Sequence, residues 1–296
     1  MDSKWEPFFL ASTIKQSTVA LFMQVTTVIQ PKKNPFKIDF KELSQYRELL
    51  WTLTYRDFRV KYAQTALGFA WAFMNPILQI FVLSFVFGTV AKTGTGAIEV
   101  PHIIYTTAGM LGYTYFSNLM TQAGGSIIGA QQMVKKIYFP RLIIPLSKAI
   151  SGLIDLGVTL LILGILCLAY AYVPSSNLIF LPIFIIIAII SGLAAGIWMS
   201  ALTIRFRDFQ QITPLIVRLG MYATPIAYPA SLVPEKYLTL YYLNPMAGVV
   251  EGVRWCIVGG DPPSALMWLS FGLIAVIFVM GIFYFNKVER VMADIL

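Results

Sequence analysis

From Thr65 to Ala91 the chain carries no acidic or basic side chain. As a helix this run rises about 40 Å at about 1.5 Å per residue, enough to cross the roughly 30 Å hydrocarbon core of a bilayer. The composition agrees. Of 296 residues, 57% are hydrophobic and only 12% charged, where soluble domains carry about a quarter charged residues. Several apolar runs, rather than one, make the chain a polytopic membrane protein.

The segment before the uncharged run has the period of a helix but two apolar stripes. At roughly 100° per residue, Tyr46, Leu49, Leu50, Leu53 and Val60 fall on one side, and Trp51, Tyr55, Phe58 and Tyr62 almost opposite. Charged residues lie between them. Such a helix, residues 46–64, suits a membrane interface, one face on protein and one among headgroups. Residues 1–45 read as a cytosolic N-terminal segment. Asp2, Lys4 and Glu6 precede a weak, polar-broken apolar stretch, which does not resemble a cleavable signal.

Six spans are expected beyond residue 65, near 66–90, 102–130, 146–172, 178–204, 212–230 and 264–285. The second carries Gly109, Gly112, Gly124, Gly125 and Gly129, and the fourth Gly192 and Gly196, small residues that let helices approach closely. Nineteen of the 22 Lys and Arg residues fall on one side of this arrangement, leaving Lys92, Lys236 and Arg254 on the other. The positive-inside rule then places both termini in the cytosol. The net charge of +8 is a product of topology, with no nucleic-acid partner implied. Between the fifth and sixth spans lie two apolar segments, Tyr237–Leu243 and Met246–Val258, too short to cross. Asn244 suits an N-cap, Pro245 the first helical position and Gly259-Gly260 the stop. They read as a re-entrant helical hairpin, residues 231–260. The expected fold is therefore an all-α polytopic membrane protein of six transmembrane helices, with an amphipathic interface helix and this hairpin.

No catalytic constellation is present. His102 is the sole histidine, Cys167 and Cys256 lie in separate segments, and nothing matches GxxxxGK[ST]. No metal site is expected on this chain, and energy for transport has to come from another one. The loop 131–147 is a candidate contact, with Lys135, Lys136 and Arg141 around Tyr138 and Phe139. Arg205 and Arg207 form a second basic turn. The bases of loop 131–147 alone fit a positive-inside flank, but the large apolar pair Tyr138-Phe139 on a short loop points to a partner. Within the spans, Asp155 lies about 14 Å deep and either lines a wet path or pairs with Lys148. Gln211, Pro214, Arg218, Tyr222 and Pro225 share one helical face, which suits a channel lining, although Arg218 sits close enough to the end to snorkel. Trp71 fits an aromatic belt, and Tyr113 and Tyr115 fall at mid-depth, where tyrosine seeks a polar partner.

The phrases YRELLWTLTYRDFRVKYAQTALGFAWAFMNP, KKIYFPRLIIPLS, FRDFQQITPLIVRLGMYATPIAYPASLVPEKY and YYLNPMAGVVEGVRW resemble the permease subunit of ABC type-2 polysaccharide exporters, O-antigen (Wzm) type. The resemblance spans roughly residues 28–285. It implies a homodimer working with two copies of a separate ABC ATPase, which would hold the ATP and Mg. Its substrate would be a polysaccharide on undecaprenyl diphosphate, moved across the inner membrane to the periplasm. It makes 46–62 the interface helix, the loop around Lys135–Arg141 the coupling element, and the hairpin a periplasmic gate containing Glu235, Tyr242, Asn244, Pro245, Glu251 and Arg254. Glu251 and Arg254, three apart, are expected to pair. Arg56, Arg59 and Arg218 are the candidates for the lipid diphosphate. Teichoic-acid and capsule permeases share this architecture. A drug or lipid exporter and a membrane-embedded transferase remain as rivals.

Overall fold

The computed structural model describes residues 40–62, 67–93, 95, 100–290 and 292, and the expectations about residues 1–39 lie outside them. All regular structure among the described residues is helical. In chain order, α1 is Phe40–Gln45, α2 Arg47–Tyr62, α3 Ala70–Leu83, α4 His102–Gly129, α5 Gln131–Lys136 and α6 Ile143–Ala169. They are followed by α7 Leu181–Arg205, α8 Phe209–Ala223, α9 Glu235–Tyr242, α10 Pro245–Val258 and α11 Met267–Glu289. A wider π turn, Ser84–Val90, extends α3, and a 3-10 turn, Ser176–Phe180, leads into α7.

Four of these elements are both long and apolar enough to cross a membrane: Ala70–Val90, Ile143–Ala169, Ser176–Arg205 and Met267–Glu289. They match the first, third, fourth and sixth expected spans. The helix at the second position, α4, is 28 residues long, about 42 Å. Its Gly, Thr, Ser, Asn and Gln content makes it less apolar, because it lies at the centre and packs against α6, α7, α8 and α10. The helix at the fifth position, α8, has only 15 residues and ends at Ala223, well before the expected residue 230. Thr224 is extended (φ −99°, ψ 141°), as the residue before Pro225 tends to be.

Helix contacts follow the small residues. A Cβ on Gly196 would stand 2.9 Å from that of Ala123, and Gly192 lies against Leu119 and the Tyr115 ring, so the small face of α7 seats on α4. Gly109, Gly112 and Gly124 of α4 also meet neighbours closely, whereas Gly125 and Gly129 face open space.

Helix α2, the expected interface helix, runs beside the first turns of α6. Leu53 and Tyr62 are buried, whereas Trp51, Tyr55 and Val60 are exposed. The expected stripes therefore exchange members at the end of the helix. Phe58 and Tyr62 turn into an aromatic row with Phe69 and Phe73, with Tyr62 5.3 Å from Phe69 by ring centroids, which carries that end of α2 towards the start of α3. Val60 is left outside.

Candidate functional site

Helices α2, α3, α4, α6 and α8 line a cavity of about 690 Å³ whose wall carries a stripe of polar side chains within an otherwise apolar bundle. Asn75 and Gln79 of α3 are four residues apart, as are Thr114, Asn118 and Gln122 of α4, so each helix turns one polar face inward. Asp155 and Thr159 of α6 and Arg218 of α8 complete the polar wall. Pro76 of α3 also lines it. Lacking an N–H, this proline leaves the Ala72 carbonyl without its helical donor, and Ala72 too is in the cavity wall. Freed backbone groups at membrane depth are tolerated where they line a cavity.

Asp155, twelve residues into α6, does not pair with Lys148. Its carboxylate takes Lys61 of α2 as an ion pair and accepts a hydrogen bond from the Tyr62 hydroxyl at 2.6 Å. Lys148 lies instead 2.8 Å from Asp57, which also accepts from Ser147 at 3.3 Å and Arg56 at 3.1 Å. Two carboxylates thus fasten α2 to α6. Each sits on a different helix from its lysine, a pairing that periodicity within one helix does not reveal.

The tyrosines of α4 part company. Tyr113 lines the cavity and donates to the Val217 carbonyl, tying α4 to α8. Tyr115 does not reach the cavity. It is buried between α4, α6 and α7, with its ring against Gly152 and Gly192, and donates to the Ala149 carbonyl at 3.0 Å. On α8 only Arg218 of the expected polar face reaches the cavity. Gln211, Pro214 and Tyr222 are exposed elsewhere on the helix, and Pro225 is buried. Trp71, expected in a belt, lines the cavity as well. Arg56 is half-exposed on Asp57, and Arg59 lies over the exposed Tyr55 ring, 5.9 Å from its centroid. The amides at 75, 79, 118 and 122 were missed in the sequence; their regular four-residue spacing within apolar spans is the signal that identifies them.

Behind α8 lies a second cavity of about 620 Å³, walled by α4, α7, α8 and α11 and almost wholly apolar. Tyr113 and Val217 belong to both walls, so their contact is the partition between the two cavities.

The hairpin caps the far end. Asn244 accepts from the Met246 N–H at 3.0 Å and so caps α10, with Pro245 in the first turn and Gly259 and Gly260 at φ 84° and 85° as the stop. Its amide also donates to Thr224 Oγ1 at 2.8 Å, joining the hairpin to the end of α8. Glu251 and Arg254 do not pair with each other. The carboxylate accepts from Tyr241 at 3.2 Å and from Tyr242, while Ser270 donates to the Tyr242 carbonyl at 2.7 Å. Arg254, 7% exposed, donates to the carbonyls of Pro225 and, at 2.9 Å, Ile226, and lies 3.9 Å over the Tyr105 ring. The broken stretch after α8 has carbonyls without a helical partner, and this guanidinium satisfies them. Gly109 of α4 is the residue that admits it, since a Cβ there would stand 2.5 Å from the Ile226 carbonyl oxygen. Glu235 is exposed at the start of α9.

At the basic end, α5 and the following loop expose Lys135, Lys136, Ile137 and Tyr138. Phe139 is not part of that surface. It is 2% exposed, in a core cluster with Leu53, Ile143 and Phe285. Tyr138 donates to Glu42 at 3.4 Å, and partial burial, followed by that carboxylate, pushes its hydroxyl above the usual tyrosine range. Arg141 is half-buried, and its backbone N–H donates to the Glu289 carboxylate at 3.1 Å. Arg205 and Arg207 are exposed in the second basic turn.

Long apolar helices around a cavity with a polar stripe, closed in by the α9–α10 pair and bearing an exposed basic surface around α5, suit an integral membrane transport protein. Residues 48–258 match the ABC-2 type transporter family, and the chain belongs to it. Among curated relatives, an O-antigen export system permease protein of Klebsiella pneumoniae is 27% identical over 251 residues, covering 84% of this chain and 95% of that one. One of Myxococcus xanthus is 26% identical over 240 residues, 80% of this chain and 90% of the relative. A polysialic acid transport protein of Escherichia coli is 22% identical over 246 residues, 81% and 93% respectively.

Proposed function

We propose that this chain is the permease subunit of an ATP-driven exporter that moves a polysaccharide linked to undecaprenyl diphosphate from the cytosol to the periplasm. In this reading it sits in the bacterial inner membrane as a homodimer, with both termini cytosolic, six spans and the α9–α10 hairpin dipping back from the periplasmic face. Two copies of a separate ABC ATPase dock on the surface around Lys135–Tyr138 and Arg205–Arg207 and carry the ATP and Mg. The observation that carries the reading is the cavity lined by Asn75, Gln79, Asn118, Gln122 and Arg218. Amide groups both donate and accept, so they can exchange bonds with successive hydroxyls of a sugar chain as it moves. An apolar drug offers these amides no hydrogen bond, so its entry would strip them of water without replacement.

The relatives' names favour an O-antigen-like glycan, and the polysialic acid transport protein keeps a capsular polysaccharide as the second reading. The test is reconstitution of the chain with its ABC ATPase in proteoliposomes. Lipid-linked glycan should stimulate ATP hydrolysis and become accessible on the far side, and apolar drugs should do neither. Drug-stimulated hydrolysis without glycan stimulation would overturn the reading.

A further inference from the structure

A glycan path through the first cavity gives no role to the apolar one behind α8. At about 620 Å³ that cavity is about four times the roughly 150 Å³ of an apolar cavity that stays dry and binds benzene. Water has little to hold there, since a buried water needs about two to four polar partners. Every side-chain hydroxyl and amide in the wall is already used inside the protein. Tyr113 donates to the Val217 carbonyl, Ser191 to Met246 Sδ at 3.4 Å, and Thr224 to the Gly220 carbonyl at 2.7 Å. Asn244 donates to Thr224 and accepts from the Met246 N–H. The mouth lies between α8 and α11, where Ile216, Val276 and Met280 line the cavity and are also exposed. Val276 and Met280, one turn apart, lie mid-way along Met267–Glu289, a helix long and apolar enough to cross a membrane. The mouth therefore opens at the depth of hydrocarbon, away from head groups and water.

We propose that this cavity is the binding site of a fatty acyl chain from a bilayer phospholipid, which enters between α8 and α11 and leaves its head group outside. The inference goes beyond the export reading and does not rest on it. A bilayer presents acyl chains to such a mouth at far higher concentration than any carrier lipid, so mass action fills it with them. With its hydroxyls and amide spent, the wall selects for a hydrocarbon chain and not for a head group. The chain also has a structural effect. In α8 only Thr213 is buried, so this helix stands between two cavities with little protein packed on either side. A chain behind it supplies the dispersion contacts that side chains do not. It thereby backs the Tyr113–Val217 partition and the Asn244–Thr224 bond that joins α8 to the hairpin.

The test uses the full chain in nanodiscs containing a phosphatidylcholine with a diazirine near the end of one acyl chain. Met120 and Ile274 line the cavity and are 4% exposed, whereas Leu168 on the outer side of α6 is 84% exposed. On irradiation, Met120 and Ile274 should nevertheless take up at least as much label as Leu168. Val276→Trp narrows the mouth and Ala195→Phe fills the interior. Each should lower the label at Met120 and Ile274 about threefold or more by reducing occupancy, and leave Leu168 unchanged. Val276 is an exposed position, so its variant carries the test if Ala195→Phe fails to fold. Stripping lipid in detergent should speed amide exchange across residues 215–222 about tenfold or more, reversed by added phosphatidylcholine. In Ala195→Phe, whose ring takes the place of the chain, stripping should change that exchange by less than about threefold.

Label missing from Met120 and Ile274, or undiminished in both variants, overturns the site. Displacement of the label by a polyprenyl phosphate, with an equal amount of unlabelled phosphatidylcholine displacing none, overturns the assigned occupant. Label missing while a short bis-maleimide joins two copies through Val276→Cys, in a chain lacking native cysteines, makes the mouth a contact between copies and overturns the proposal. Amide exchange in α8 that ignores lipid removal overturns the supporting role. No step requires glycan or ATP, so failure here and failure of the export reading are separate results.

Discussion

Replacing Arg254 by methionine should open the hairpin without unfolding the bundle. The guanidinium bonds the Pro225 and Ile226 carbonyls and lies over Tyr105. Hydrogen bonds from a charged donor contribute about 1.5–3 kcal/mol each, and a desolvated cation–π contact about 2 kcal/mol. Against this, methionine avoids the several kcal/mol spent in burying the charge. The carbonyls left without donors tip the balance, for a net loss of about 2–4 kcal/mol. Cys256, fully buried two residues further along α10, is a built-in reporter. In a Cys167→Ala background, the rate at which a maleimide traps Cys256 measures the population of the opened hairpin. At about 1.4 kcal/mol per factor of ten, the rate should rise about 30- to 700-fold in Arg254→Met. Arg254→Lys, which keeps a charge but not the fork, should fall between. A change below about threefold in Arg254→Met, under 1 kcal/mol, would refute the role assigned to this side chain.

Further outcomes follow from placements in the fold. Phe139→Ala should destabilise the protein by about 3–5 kcal/mol, seen as a lower melting temperature, because it empties a packed core site. Tyr138→Ala should leave the melting temperature nearly unchanged and uncouple ATP hydrolysis from export. Single cysteines at Lys135 and Arg207 should resist an impermeant maleimide in intact cells, and one at Lys236 should react; all three positions are exposed. Gly252→Ala drives a methyl into the Phe184 ring and should lower the melting temperature, with Phe184→Leu restoring part of it.

The sequence is legible where a feature depends on near neighbours along the chain. The Asn244-Pro245 start and Gly259-Gly260 stop of α10 are local chemistry, and the structure has them in those roles. The uncharged runs place α3, α6, α7 and α11 to within a few residues, since length and apolarity are sums over one helix. Pairings across helices are a different matter. Glu251 and Arg254 share a helical face, yet Arg254 turns to carbonyls of the broken segment after α8, whose position is fixed only by the fold. Asp155 and Lys148 likewise share α6, but α2 arrives beside them and offers each a better partner. Tyr115 and Phe139 look available by composition. The glycines of α6 and α7 draw the first into the core, and the chain turn at Pro140 points the second inward.

The account stands on the polar cavity being the path of a glycan, and cross-linking during export tests that most directly. A photoreactive amino acid at Asn118 faces the cavity, and one at Ile183 on the exposed side of α7 serves as control. With the ABC ATPase active and cells illuminated during export, the adduct at 118 should carry glycan, detected by a lectin or antiserum, and that at 183 should not. Glycan reaching the cell surface while 118 never acquires it, or acquires it no more than 183 does, would contradict the account.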